Sequence, residues 1–480
     1  MSKTPTPDSN DRDSNDRDSN EPLTDDPELG DDALFQKDAD RVYRELLARI
    51  GEGHPQPRLS ATRRVVELLG DPQRSYPIIH VTGTNGKTST SRITESILRA
   101  YGLRTGLFTS PHLVRVNERI LIDGEPISNE AFVANYRDIK PYLDMVDAEL
   151  RAAGDAPLAF FEAFTALAYA SFADAPVDVA VIEVGLGGEW DATNVGDGQV
   201  AVFTPISLDH TARLGNTVAL IAATKAGIIK PAAAVVTASQ PQTSLAELER
   251  ASGLMEASLA VQGAAFVLLS NTVAVGGQVL SVRGLAGTYT DLFLPLFGDH
   301  QAQNAAVAIA AVESFLGGGE QMLVGDVLSE GIATATSPGR LQVIGIEPTV
   351  IIDAAHNPDG AQSLAAALGS YFTFDEVAVV LGVLDDKDAR GIVAALAPVT
   401  EVMLVTASSS ERAIAVDDLA EIVREAAPAI SVDDYDTPSE AIAAARAWAQ
   451  KAPRRGVVIT GSITLIGDAL VIAAAEGWKR

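Results

Sequence analysis

The sequence predicts an α/β protein: a P-loop-containing N-terminal domain with a parallel sheet, joined to a smaller Rossmann-like C-terminal α/β domain. Three observations carry this. Short apolar runs recur along the chain, separated by alanine-rich stretches with helical spacing. A glycine-rich turn ending in Lys-Thr, HVTGTNGKTST at 80–90, lies between one such run and a helix. The chain has 480 residues, 47% of them apolar, enough for two or three cores rather than one.

Residues 1–32 repeat DSNDR and carry almost no aromatic or branched apolar side chain. They bury too little surface to offset their ordering entropy and are expected to form a disordered acidic tail. SYPII (75–79) then reads as a strand running into the glycine turn, and SRITESILRAYG (91–102) as the helix after it. VDVAVIEVG (177–185), VAVFTPIS (200–207) and AAVVTAS (233–239) have the unbroken apolar character of parallel strands covered on both faces. Residues 253–299, richer in Val, Leu and Gly with short turns, are expected to form a small β excursion. NAAVAIAAVESFL (304–316) has helical spacing, and SPGRLQVIG (337–345) marks the seam between domains 33–336 and 337–480. Beyond it, TVIIDAA (349–355), EVAVVLGVL (376–384), EVMLVTA (401–407) and GVVITGS (456–462) are strands, with AEIVREAAP (420–428) among the helices between them.

Composition excludes several roles. Without cysteine there is neither disulfide nor thiolate metal site, which suits a reducing compartment. A formal net charge of −28 opposes non-specific binding to nucleic acid or to an anionic membrane. No apolar run reaches the ~18 residues of a spanning helix, and the polar N-terminus lacks a signal-peptide core. A cytoplasmic location is expected.

The stretch at 80–90 carries chemistry. Gly83 and Gly86 let the backbone turn without a Cβ in the way, so amides can point into one concavity, and the following helix adds its positive end. Lys87 supplies a point charge for phosphate and the Thr88 hydroxyl can reach magnesium. The strict P-loop spacing would need glycine at Val81, so a plain turn with an exposed lysine remains the alternative. Glu183 ends a strand where an α/β sheet presents its ligands, although strand-end glutamates are often merely solvated. His210 follows another strand, one of six histidines in the chain.

The motifs GTNGKTS, TSPHLVRVNERI (109–120), FFEAFTALAYASF (160–172), VIEVGLGGEWDATN (181–194), SLDHT (207–211), KAGIIKP (225–231), HQAQNAA (300–306), SPGR (337–340) and DAAHNPDGA (353–361) follow one another in a single order. Together they resemble the folylpolyglutamate synthase/dihydrofolate synthase branch of the ATP-dependent Mur ligase family. The resemblance implies an ATP-dependent ligase that joins L-glutamate to dihydropteroate and to folates through an acyl phosphate. It implies that Thr84, Asn85, Gly86, Lys87, Thr88 and Ser89 cradle the triphosphate. One Mg²⁺ would bind Ser110 and Glu183 and a second would involve His210, with Lys225 carrying a carbamate from CO₂. Asn304, Arg340 and Asp353 match nucleotide-contacting positions, an interdomain salt bridge being the alternative for Arg340. His356, Ser462 and Arg119 match positions near the incoming glutamate, where an arginine suits an α-carboxylate. Phe160, Phe161, Glu162, Trp190, Asp191 and Ala192 match the pterin-binding segments, with core packing the competing reading of both phenylalanines. Two positions depart from the pattern: Thr224 stands in place of glutamate, and Glu189-Trp190 in place of Arg-Leu. A monomer is expected. The alternatives are a folylpolyglutamate synthase without the first activity, a ligase for another carboxylate, and a nucleotide-binding module without catalysis.

Overall fold

The computed structural model describes residues 31–52 and 56–479. Most of the expected acidic tail therefore lies outside the described residues, and the first helix is Asp31–Leu34.

The N-terminal sheet contains β1 (Ile78–Thr82), β2 (Thr105–Phe108), the short β3 (Ile120–Ile122) and β4 (Glu125–Pro126), β5 (Val179–Glu183), β6 (Gly198–Phe203), β7 (Ala234–Thr237) and β8 (Ser258–Val261). Their order is β4-β3-β2-β5-β1-β6-β7-β8, parallel from β2 to β8. The expected parallel sheet is thus present, with an antiparallel edge at β3 and β4. All five residues of β1 and of β5 are buried, as continuous apolar runs with helices on both faces require. Each buried Val or Ile in them contributes about 1.5–3 kcal/mol.

The chain passes from β1 to one side of the sheet and later returns across β1 into β6. Val81 pairs with Glu183 and Thr82 with Phe203. The carboxyl ends of β1, β5 and β6 therefore open onto one crevice at the topological switch point.

The β excursion divides in two. Its first strand, β8, extends the main sheet, while β9 (Val267–Ala274), β10 (Gly277–Arg283) and β11 (Thr288–Leu294) form a separate antiparallel sheet. Helix Asp299–Gly317 runs beneath it, buried from Gln301 to Glu313 save for Gln303. Its run of alanines lets the β1–β8 sheet, helix Lys87–Ala100 and the small sheet approach from several sides.

The C-terminal sheet comprises β12 (Gln342–Ile346), β13 (Thr349–Ile352), β14 (Glu376–Leu381), β15 (Val402–Val405), β16 (Ser431–Asp434) and β17 (Arg455–Thr460). Its order is β12-β13-β17-β14-β15-β16, with only β12 antiparallel. The loops after β13, β14, β15 and β17 face the crevice of the first sheet.

Candidate active site

Between the two sets of strand ends lies a cavity of about 370 Å³. Thr84 to Thr88, Ser110, Glu183 and His210 line it from the N-terminal half. Arg340, His356, Lys387, Arg412 and Ser462 line it from the C-terminal half.

The loop after β1 is built around two glycines. Gly83 has φ +150°, and a Cβ there would sit 1.9 Å from Thr204 Oγ1. Gly86, at φ +88°, would drive a Cβ to 2.6 Å from Asn304 Oδ1. Neither position accepts a side chain without displacing a neighbour. The amides of Thr84 and Asn85 donate to the Pro205 carbonyl at 2.9 and 3.4 Å, which fixes the loop against the end of β6. Lys87 then opens the helix Lys87–Ala100 and bends back, Nζ donating to the carbonyls of Gly83 and Thr84 at 3.2 and 3.1 Å. Burial lowers its pKa, partly opposed by Glu183 and Asp209.

Glu183, at the end of β5, is 1% exposed. Its oxygens accept Thr88 Oγ1 at 2.9 and 3.1 Å and the Ser110 amide at 3.4 Å. Burial raises its pKa, against the pull of Lys87 and Thr88. A buried carboxylate beside two hydroxyl-bearing residues is a hard-oxygen set that fits Mg²⁺, an ion that takes few protein ligands and keeps waters or phosphate oxygens for the rest. Among the described residues no group of three or more His, Asp or Glu is placed to hold a metal.

The opposite wall meets the first at Asp209. Lys387 Nζ donates to Asp209 Oδ1 at 2.8 Å, and His356 Nε2 lies 3.6 Å from Oδ2. Burial pushes the Asp209 pKa up, and His356, His210 and Lys387 outweigh it, holding the carboxyl far below the usual range. His210, in the left-handed region at φ 49°, has a pKa lowered to about 4, chiefly by burial. Lys387 and Asp209 were missed in the sequence. Asp209 stands inside the quoted SLDHT, and Lys387 lies in LDDKDAR on the loop after β14. The carboxyl end of that strand was the available signal.

The Mur ligase middle domain matches residues 161–312, and the Mur ligase glutamate ligase domain matches 339–463. A dihydrofolate synthase/folylpolyglutamate synthase of Mycobacterium tuberculosis is 46% identical over 438 residues, covering 86% of this chain and 89% of that protein. The chain belongs to the dihydrofolate synthase/folylpolyglutamate synthase family. It is an ATP-dependent ligase of the Mur type. The M. tuberculosis folylpolyglutamate synthase structure complexed with ADP superposes with a TM-score of 0.88 at 44% identity, covering 92% of this chain and 99% of that one. The Escherichia coli FolC structure in complex with DHPP and ADP gives 0.79 at 30% identity, covering 91% and 98%.

Several residues singled out by this family's motifs stand elsewhere than expected. Arg119, the expected glutamate clamp, is 2% exposed and does not line the cavity. Both Nη atoms donate to the Glu52 carboxylate at 2.6 and 2.9 Å, and Nε donates to His112 Nδ1 at 2.9 Å. Phe160 is buried in the core and does not line the cavity, being stacked on Phe164 at 5.5 Å and beside the Arg119 guanidinium at 5.2 Å. Phe161, one helical step on, faces the cavity with Trp190, Asp191 and Ala192. Glu162 reaches the cavity edge, but Arg58 holds its carboxylate in a two-pronged pair at 2.9 and 3.0 Å. Asp191 accepts the Leu186 and Thr193 amides and so shapes the glycine-rich turn.

Ser89 turns away from the cavity, its hydroxyl buried against Ser337 at 2.9 Å. Asn304 backs the loop at Gly86 instead of lining the cavity. Asp353 accepts the amides of Leu341 and Ala355 at 2.8 and 2.9 Å, securing the backbone next to Arg340. Ser462 caps helix Ile463–Ala475 through the Leu465 amide. Lys225 lies behind the loop, buried, with Nζ on the Gly83 carbonyl.

Proposed function

We propose that this ligase adds L-glutamate to dihydropteroate and, in later rounds, to reduced folates, making it bifunctional. The observation that carries the reading is the meeting of two walls. The phosphate loop and Glu183–Thr88 face His356, Arg340 and Ser462 across a cavity edged by Phe161 and Trp190. DHPP in the E. coli FolC complex supports a pteroate-like acceptor, and ADP in both complexes supports the nucleotide site.

A carboxylate does not react with amines because oxide is too poor a leaving group. In the first step an acceptor carboxylate oxygen attacks the γ-phosphorus of ATP, the bond to the bridging oxygen breaks, and ADP departs. In the second, the amine of glutamate attacks the acyl carbon. The tetrahedral adduct expels phosphate, and the new amide nitrogen loses a proton. The chain's part is positioning and charge neutralisation. Thr84, Asn85, Gly86, Lys87 and Thr88 hold the triphosphate, and Arg340 reaches it from the second domain. Magnesium bound at Glu183, Thr88 and Ser110, with a second ion near His210, would offset charge on the phosphate oxygens.

Lys225 suits carbamylation because burial lowers its pKa to about 7, leaving a large neutral fraction near physiological pH. The neutral amine adds to CO₂, and one proton leaves. Arg119 is buried and does not line the cavity, so glutamate carboxylates fall to the cations that do, Lys387 and Arg412 among them, which would exchange part of their pairing with Asp209 and Asp386 for the substrate, with His356 and Ser462 alongside.

We take 33–336 as the ATP-binding half and 337–480 as the glutamate-ligase half, in a monomer acting in the cytoplasm. Among the described residues no helix is long and apolar enough to cross a membrane.

The decisive assay measures ADP release with ATP and glutamate, using dihydropteroate or tetrahydrofolate as acceptor. Release with both supports the bifunctional reading. Release with tetrahydrofolate only would reduce it to a folylpolyglutamate synthase, and release with neither would overturn it.

A further inference from the structure

Asn357 stands where the two halves touch and uses every hydrogen-bonding capacity an asparagine has. It is 3% exposed. Its Oδ1 accepts the Gly360 amide at 2.8 Å, capping helix Pro358–Tyr371, and Asn85 Nδ2 at 3.3 Å. Its Nδ2 donates to Asn85 Oδ1 at 3.0 Å and to Asp209 Oδ2 at 3.3 Å. Two lone pairs and two N–H bonds are thereby all engaged. The capping bond fixes the amide's orientation, because Oδ1 must face the Gly360 N–H, so Nδ2 is presented to the N-terminal half.

The partners are telling. Asn85 belongs to the phosphate loop between Thr84 and Gly86, and Asp209 sits one residue before His210. On the other side, Asn357 follows His356 directly and opens the helix that carries the loop after β13. One side chain therefore joins the nucleotide loop, the loop after β6 and the C-terminal wall.

We propose that Asn357 is a positioning residue that locks the C-terminal wall of the cavity onto the phosphate loop, holding His356 against the nucleotide site through paired bonds to Asn85 and Asp209. It touches no reacting atom. Its contribution is to fix the distance between the phosphoryl donor and the side chains that face the incoming amine, where a misplacement of about 1 Å costs on the order of 100-fold in rate. The inference rests on the ligase reading. Wild-type turnover in the two-acceptor assay tests that reading first, and the variants below test the lock.

Asparagine's two roles can be separated. Asn357→Asp keeps an excellent helix cap but replaces the donors with an oxygen that faces Asp209 and Asn85 Oδ1. Asn357→Ser caps through its hydroxyl but is too short to reach either partner. Both variants should keep the wild-type unfolding midpoint within a few degrees while kcat falls at least tenfold and the KM for ATP changes less. Asp209→Asn should also slow the enzyme. The double variant Asn357→Asp/Asp209→Asn restores a donor–acceptor pair with reversed polarity, and should recover kcat at least threefold over the slower single variant. Wild-type kcat in Asn357→Asp, or a double variant no faster than the slower single one, would overturn the proposal. A loss of kcat that merely tracks a lowered midpoint in both Asn357 variants would also overturn it, reducing Asn357 to a cap.

Discussion

Lys225 Nζ donates a 2.7 Å hydrogen bond to the Gly83 carbonyl, so a buried lysine supports the phosphate loop from behind. Replacing it tests the carbamate. Lys225→Ala should lower kcat by about 100-fold, the scale of losing one fixed electrostatic contact at a reaction centre, with an unchanged circular dichroism spectrum. The protonated amine cannot add CO₂. Reactivation of CO₂-depleted enzyme by bicarbonate should therefore slow as pH falls below about 7, the value to which burial brings this group. Full turnover in the alanine variant excludes a catalytic role for the carbamate.

Glu183 accepts Thr88 Oγ1 in a buried setting, and burial raises its pKa. Glu183→Gln preserves volume and most of these contacts but removes the charge. Mg²⁺-dependent nucleotide binding, measured by calorimetry, should weaken at least tenfold, while binding of metal-free ADP changes little. Equal weakening of both would point to loop distortion rather than lost metal affinity.

Arg119 is held by Glu52 and His112 and lies beside Phe160 and Phe164. Its removal leaves Glu52 without its cation and opens a gap among aromatic rings. Arg119→Ala should cost about 1–2 kcal/mol of stability, chiefly from lost packing against the rings because the exposed Glu52 carboxylate can be rehydrated, read by denaturant unfolding, with the KM for glutamate changed less than that for a Lys387→Ala variant. A normal unfolding free energy combined with a selective rise in glutamate KM would reinstate Arg119 as the substrate clamp.

His80, fully buried on β1, has its pKa lowered to about 3 by burial. The unfolded chain takes up this proton below its ordinary value of 6.5 and the folded one does not. Stability is therefore greatest above pH 6.5 and declines as pH falls toward about 3, by up to about 1.4 kcal/mol per pH unit from this residue. His112 and His210, each lowered to about 4 mainly by burial, add to the slope. His80→Gln, which can still meet Thr193 Oγ1, should remove roughly one proton's worth of that dependence between pH 6 and 4. An unaltered slope would show that His80 stays neutral in neither state or titrates equally in both.

Local signals revealed what depends on local geometry. Gly83 and Gly86 read as a cradle because only glycine tolerates their backbone angles and the approach of Thr204 and Asn304. Glu183 read as a ligand because a strand end places it at the crevice whatever surrounds it. The antiparallel edge of the first sheet escaped notice because β3 and β4 have only three and two residues, too few for an alternation pattern to show. Phe160 and Phe161 could not be told apart by type. Their separation by one helical step, one toward Phe164 and one toward the cavity, exists only once the helix is docked.

The sequence by itself determined the α/β class, most of the central strands, the phosphate loop and the family, since these follow from apolar periodicity, glycine placement and motif order. The tertiary structure alone decided that Arg119 is spent on Glu52, that Ser89 meets Ser337, and that Asp209 gathers Lys387, His356 and Asn357. Those pairings join residues as far apart as Asn85 and Asn357, 272 positions along the chain. A side chain's local pattern does not encode such a partner, because the choice is made by how distant segments and the two sheets' strand ends pack against one another.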